Sequence, residues 1–105
     1  MISRLEQLQK FLEEEPTDAF THYAIALEYV AKKQYDKAIT MFEESLVLDP
    51  QYVAAYHQLG LLYAQMNMKT DALKIFDQGI RVAGNLGDVH ANAEMENAID
   101  ELHLE

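Results

Sequence analysis

The chain has 105 residues and a formal net charge of −10, from 18 acidic against eight basic side chains. That is the length of one domain, and the charge speaks against nucleic acid, whose phosphates need lysine and arginine, and against anionic membrane surfaces. Cysteine is absent, which removes disulfides, a thiolate nucleophile and cysteine-ligated zinc.

Apolar residues recur at three- and four-residue steps, the spacing of helices, and no alternating strand run occurs. The start, MISRLEQLQK, lacks the apolar core of a signal peptide. No apolar run approaches the roughly 20 residues of a membrane span. A soluble, cytoplasmic protein is the default expectation. The first helix is expected over about Ser3 to Glu14, with Ser3 and Glu6 as a capping box. Leu5, Leu8, Phe11 and Leu12 form its apolar stripe, and Pro16 forces Glu15 out of helical geometry. The second helix starts at Thr17 or Asp18, either of which can cap, and runs to about Lys32. The third covers Tyr35 to Leu48 and is broken by Asp49-Pro50. The fourth covers Val53 to Met66 and the fifth Lys69 to Val82. Gly84-Asn85-Leu86-Gly87 reads as a strong break. A sixth helix is expected from Asp88, a good cap, to about Leu102. Ala91, Met95, Ala98, Ile99 and Leu102 make its apolar stripe, and Asn92, Glu96, Asp100 and Glu101 its polar face. The final Leu104-Glu105 matches a pair that tagged vectors leave and is given no role.

A period of 34 residues runs through the middle. The two prolines, Pro16 and Pro50, stand 34 apart. Aligning residues 19–52 with 53–86 brings Ile25 onto Leu59, Ala26 onto Gly60 and Tyr29 onto Tyr63. It also brings Ala38 onto Ala72, Phe42 onto Phe76 and Ser45 onto Gly79. Small residues between large ones let two antiparallel helices approach while the aromatics fill the flanks.

On these residues the sequence resembles the tetratricopeptide repeat family. The first repeat carries Ile25, Ala26, Tyr29, Ala38, Phe42, Ser45 and Pro50. The second carries Tyr56, Leu59, Gly60, Tyr63, Ala72, Phe76 and Gly79. Two positions depart from the family pattern: His22, where a large apolar residue is preferred, and Gly84, where proline is. The resemblance implies an all-α fold, an α-solenoid of antiparallel helix-turn-helix repeats in a right-handed superhelix, with about six helices. A single domain, 1–105, would comprise an N-terminal capping helix (1–16), repeat 1 (19–52), repeat 2 (53–86) and a C-terminal capping helix (87–103). Continuing the 34-residue register into the last helix puts Glu94 and Asn97 at packing positions. A slide of one residue puts Ala91, Met95 and Ala98 there instead, so the Gly84–Gly87 loop is expected to be one residue longer than its counterpart.

Neither a glycine-rich phosphate loop nor a nucleophile elbow is present. Of the four histidines, His90 lies one turn from Glu94, and His103 three residues from Asp100. Carboxylate-helix metal sites need further carboxylates from facing helices, and no partner pair has matching spacing, so no metal and no cofactor is expected. His22 reads as a half-buried packing residue with a polar tip.

By resemblance the function is binding rather than catalysis: an adaptor or scaffold holding a peptide or protein segment in a concave groove. The groove would be lined by Phe20, Tyr23, Leu27 and Val30 of repeat 1 and by Ala54, His57, Gln58, Leu61 and Gln65 of repeat 2. Members that clamp a chaperone's C-terminal carboxylate use lysine, arginine and asparagine. The corresponding places here hold Tyr23, Leu27, Gln58, Asp88 and Asn92. No cation is among them and Asp88 repels a carboxylate, so that ligand is not expected. A segment with apolar anchors and basic flanks suits the acidic rim. The same stripe serves a second reading, homodimerisation through a covered apolar face. A metal-binding or enzymatic helical protein is a third reading, with no constellation to support it.

Overall fold

The computed structural model describes residues 1–104; Glu105, half of the terminal pair discussed above, lies outside the described residues. The described residues form six helices in order: α1 (Arg4–Glu14), α2 (Ala19–Ala31), α3 (Tyr35–Leu48), α4 (Val53–Gln65), α5 (Lys69–Leu86) and α6 (Val89–His103). No strand occurs among the described residues. Among the described residues no helix is long and apolar enough to cross a membrane.

Short polar side chains start the helices where the sequence offers them. Ser3 Oγ accepts from the Glu6 amide at 3.1 Å, one half of the anticipated capping box. Of the two candidates for α2, Asp18 is the cap: its carboxylate accepts from the Thr21 amide at 3.2 Å and from the Thr21 hydroxyl. Asp88 caps α6 by accepting from the Ala91 amide at 3.1 Å.

Three helices end in the same way. After α2, the Gln34 amide donates back to Tyr29 and the Lys33 amide to Val30, both at 2.9 Å. After α4, Met68 donates to Tyr63 at 2.8 Å and Asn67 to Ala64 at 3.1 Å. After α5, Asp88 donates to Ala83 at 2.8 Å and Gly87 to Gly84 at 3.2 Å. This paired pattern needs one residue in the left-handed region. Lys33 and Asn67 (both φ 60°) and Gly87 (φ 74°) supply it.

The expected break at Gly84-Asn85-Leu86-Gly87 is therefore wrong in place. α5 continues through Gly84 and stops only at Gly87, giving 18 residues against 14 in α3. Where α3 is ended by Asp49-Pro50, Gly84 keeps its amide and nothing blocks the helix. The expected four-residue loop shrinks to the Gly87-Asp88 link. Two substitutions locate this end. Gly84→Ala is expected to stabilise the protein by about 0.5–1 kcal/mol, since a helix-interior glycine is replaced and only Asn92 Nδ2, at 3.9 Å, faces the new methyl. Gly87→Ala meets no atom within 4 Å, yet the left-handed backbone should cost it about 1–2 kcal/mol. Urea unfolding measures both, and equal signs would contradict this helix end.

The chain divides into two compact units, Met1–Tyr52 and the remainder from Val53. In the first, α2 packs on α3, and α1 covers α2. Its centre holds Ile25, Ala26, Ala38 and Phe42, each at most 1% exposed. Ser45 is also closed off, and its hydroxyl donates to the Ala19 carbonyl at 2.9 Å, tying α3 to the start of α2. In the second, α4 packs on α5 and α6 lies against both. Leu59, Ala72, Phe76 and Met95 are its equivalents, again at most 1% exposed. Ideal Cβ atoms on Gly60 and Gly79 would stand 2.3 Å from Phe76 Cε1 and 2.6 Å from Met95 Sδ. These are the two closest approaches in the unit that only glycine permits. Burial of Met95, with Ala91 and Ala98 half-buried and Asn97 exposed, follows the slid register of the last helix.

Candidate functional site

A helix buries about half its surface against its partner, and residues three or four apart share what is left. On α2 the expected face is Phe20, Tyr23, Leu27 and Val30. Phe20 is open, at 56% exposure, and the other three are half-buried. Tyr23 is committed to packing within its unit. Its ring lies 5.0 Å from that of Tyr52 and 5.9 Å from that of Phe42, both tilted. This leaves Phe20 as the open apolar side chain of the α2 face.

Burial raises the Tyr23 hydroxyl above the usual tyrosine range. Burial also raises Tyr52, helped by Tyr23 and then by Asp18 and Asp49. The folded state thus favours neutral rings. That contribution is complete below pH 10, the ordinary tyrosine value, and is lost as pH rises through the higher folded values. Stability should therefore be level around neutrality in this respect and fall above pH 10. Tyr52→Phe should flatten the alkaline fall. A denaturation series from pH 8 to 11 checks this, and an unchanged slope in the variant would contradict it.

His22 is more buried than expected, at 6% exposure. Its Nδ1 donates to the Asp18 carbonyl at 2.9 Å, and its Nε2 stands 3.5 Å from a Glu44 carboxylate oxygen. These two polar neighbours explain how histidine is tolerated where the family pattern wants an apolar ring.

On α4 the expected face is Ala54, His57, Gln58, Leu61 and Gln65. Leu61 is 41% exposed, Ala54 and Gln65 are exposed, and His57 and Gln58 are half-buried. Within this unit α6 brings four residues beside them that the expected groove omitted. His57, Leu61, Glu94, Asn97, Ala98 and Glu101 line a cleft of about 250 Å³. Glu94 reaches both histidines: Oε1 is 2.6 Å from His90 Nε2, and Oε2 is 3.8 Å from His57 Nδ1. The clue to these residues was present in the sequence. Glu94 and Asn97 were the pair that failed the packing register, so they had to face away from the core of their unit. Asp88, which stands at one of the places corresponding to the family's carboxylate clamp, caps α6. No group of three or more histidine or carboxylate side chains arranged to hold a metal occurs among the described residues.

Family models described as "TPR repeat" and "Tetratricopeptide repeat" match residues 26–67 and 53–86. The crystal structure of a tetratricopeptide repeat domain protein from Salinibacter ruber is 35% identical, with a TM-score of 0.75, covering 82% of this chain and 96% of that one. A solution structure of such a protein from the same organism is 36% identical, with a TM-score of 0.78 and coverage of 83% and 88%. The TPR2B domain of yeast Sti1, in its pHsp70 complex, has a TM-score of 0.89 over 95% of this chain and 80% of that one; at 15% identity it is a likeness of fold alone. Among curated proteins, the chloroplastic tetratricopeptide repeat domain-containing protein PYG7 of Arabidopsis thaliana is 30% identical over 73 residues. Those residues are 70% of this chain and 24% of PYG7, so the chain spans about a quarter of that relative's length.

Proposed function

We propose a non-catalytic, segment-binding function for this chain, which belongs to the tetratricopeptide repeat family. Repeats of this family form protein–protein interaction modules. The finer reading is that the α2 face, and in its own unit the α4 face, takes an extended or helical segment of a protein partner through apolar anchors. The observation that carries it is the state of Phe20 and Leu61. The neighbouring Ile25 and Leu59 on the same helices are closed into the core, while Phe20 and Leu61 remain 56% and 41% exposed. An exposed aromatic ring beside half-buried apolar residues is the kind of surface that marks an interaction site.

The test is affinity capture with three baits: the native chain, Phe20→Glu and Leu61→Glu, each first shown to be fully helical. Tyr23→Glu is a poor choice, because it would put a carboxylate between two packed rings. Proteins retained by the native bait and reduced at least about tenfold by either variant, a loss of about 1.4 kcal/mol, are expected. Recovery of the same proteins by all three baits would overturn the reading. Light scattering on the same samples addresses self-association. A dimer that Phe20→Glu converts to monomer would assign the face to a second copy instead.

A further inference from the structure

We infer that the cleft between α4 and α6 receives a cationic side chain, an arginine or lysine of the bound segment. This rests on the segment-binding reading and specifies the partner's chemistry at one place.

Three features of the cleft converge on that ligand. The first is size. At about 250 Å³ it falls below the roughly 300–1,000 Å³ of sites for drug-sized molecules and suits one side chain. The second is its two-part wall. Leu61 and Ala98 offer apolar surface to an aliphatic stem, while Glu94, Asn97 and Glu101 offer oxygens to its charged end. The third is an excess of negative charge on α6. α6 carries Glu94, Glu96, Asp100 and Glu101, and the last lysine or arginine in the chain is Arg81. His90 hydrogen-bonds one Glu94 oxygen, but His57, at 3.8 Å from the other, is beyond hydrogen-bond reach. A net charge of −10 adds a field of the same sign. Two carboxylates about two turns apart on one helix, above an apolar patch, can take a guanidinium or ammonium group without either being buried beforehand. The apolar wall separates this place from the other acidic stretches of the surface, such as Glu13–Glu15, which offer charge alone.

The test is titration of the native, isotope-labelled chain with N-acetyl-arginine amide, followed by amide NMR, with N-acetyl-citrulline amide as the neutral isostere. Shifts are expected to concentrate on His57, Leu61, Glu94, Asn97 and Ala98, with citrulline at least about tenfold weaker. Glu94→Gln/Glu101→Gln should weaken the arginine response about tenfold. Asp71→Asn/Asp77→Asn, an equal change of charge at exposed positions on α5, should change it less than about twofold. Shifts spread over the surface, equal losses in both double variants, or an equal response to citrulline would overturn the inference. Zinc chloride moving the same resonances at lower concentration than the arginine compound would also overturn it, in favour of a metal. The Phe20→Glu chain keeps its cleft. A failed titration with capture still dependent on Phe20 sinks this inference alone, and a localised titration without Phe20-dependent capture sinks the groove reading alone.

Discussion

Phe76→Ala is expected to lower the folding stability by about 3–5 kcal/mol, the usual cost of emptying an aromatic site in a core. Phe76 is fully buried, and the unit of about 50 residues around it has no larger fully buried side chain. The ring lies over the α4 backbone at Gly60 and fills the space between α4 and α5. A domain of this size has about 5–15 kcal/mol in total, so the variant should be largely unfolded in mild denaturant. Urea unfolding followed by circular dichroism reads the loss. A change under about 1 kcal/mol would mean the ring is not the centre of its unit. Phe42→Ala should behave in the same way in the first unit, where Phe42 is also 0% exposed.

Gly60→Leu is expected to cost about 3 kcal/mol, at the upper end for overpacking. The position is an informative one because two effects oppose each other there. Replacing glycine by alanine inside a helix normally stabilises by about 0.5–1 kcal/mol. Here the added methyl would sit 2.3 Å from Phe76 Cε1 and 2.6 Å from Cδ1, and the buried ring has nowhere to swing. The steric term should therefore win even for Gly60→Ala, with a net loss of about 1–3 kcal/mol. A cycle with Phe76→Leu, which removes the ring edge, tests the cause. Gly60→Ala should be milder by about 1 kcal/mol or more in the Phe76→Leu background than alone. Additivity within about 0.5 kcal/mol would show that the two residues do not meet. Gly84→Ala, in the open, is the contrast: the same substitution in a helix should carry the opposite sign.

The candidate site was legible in part. Phe20 and Leu61 could be placed on open faces because the family resemblance, laid over the helical period, assigns them there. Tyr23 could not be read correctly from period, since its ring turns inward onto Phe42 and Tyr52. Tyr52 lies in the segment between α3 and α4, which has no periodic pattern to announce it. Glu101 was seen on the polar face of the last helix and Glu94 and Asn97 as a pair that failed the packing register, but none of them as a neighbour of His57. That required knowing how α6 lies against α4.

The sequence by itself determined the helices and the repeat. Caps such as Ser3, Asp18 and Asp88, the break at Asp49-Pro50 and the 34-residue spacing of Ala38/Ala72 and Phe42/Phe76 are local or periodic signals. They act through backbone hydrogen bonds and residue size, and both can be read along the chain. Tertiary structure decided what those signals leave open. Gly84 belongs to a helix because the glycine pair offers two possible ends, and the left-handed residue that closes the turn is Gly87. Gly60 must be glycine because of one ring on another helix. The α4–α6 cleft exists because two helices distant in sequence bring an apolar wall and two carboxylates to one place. Such juxtapositions depend on crossing geometry, and no period within a single helix encodes it.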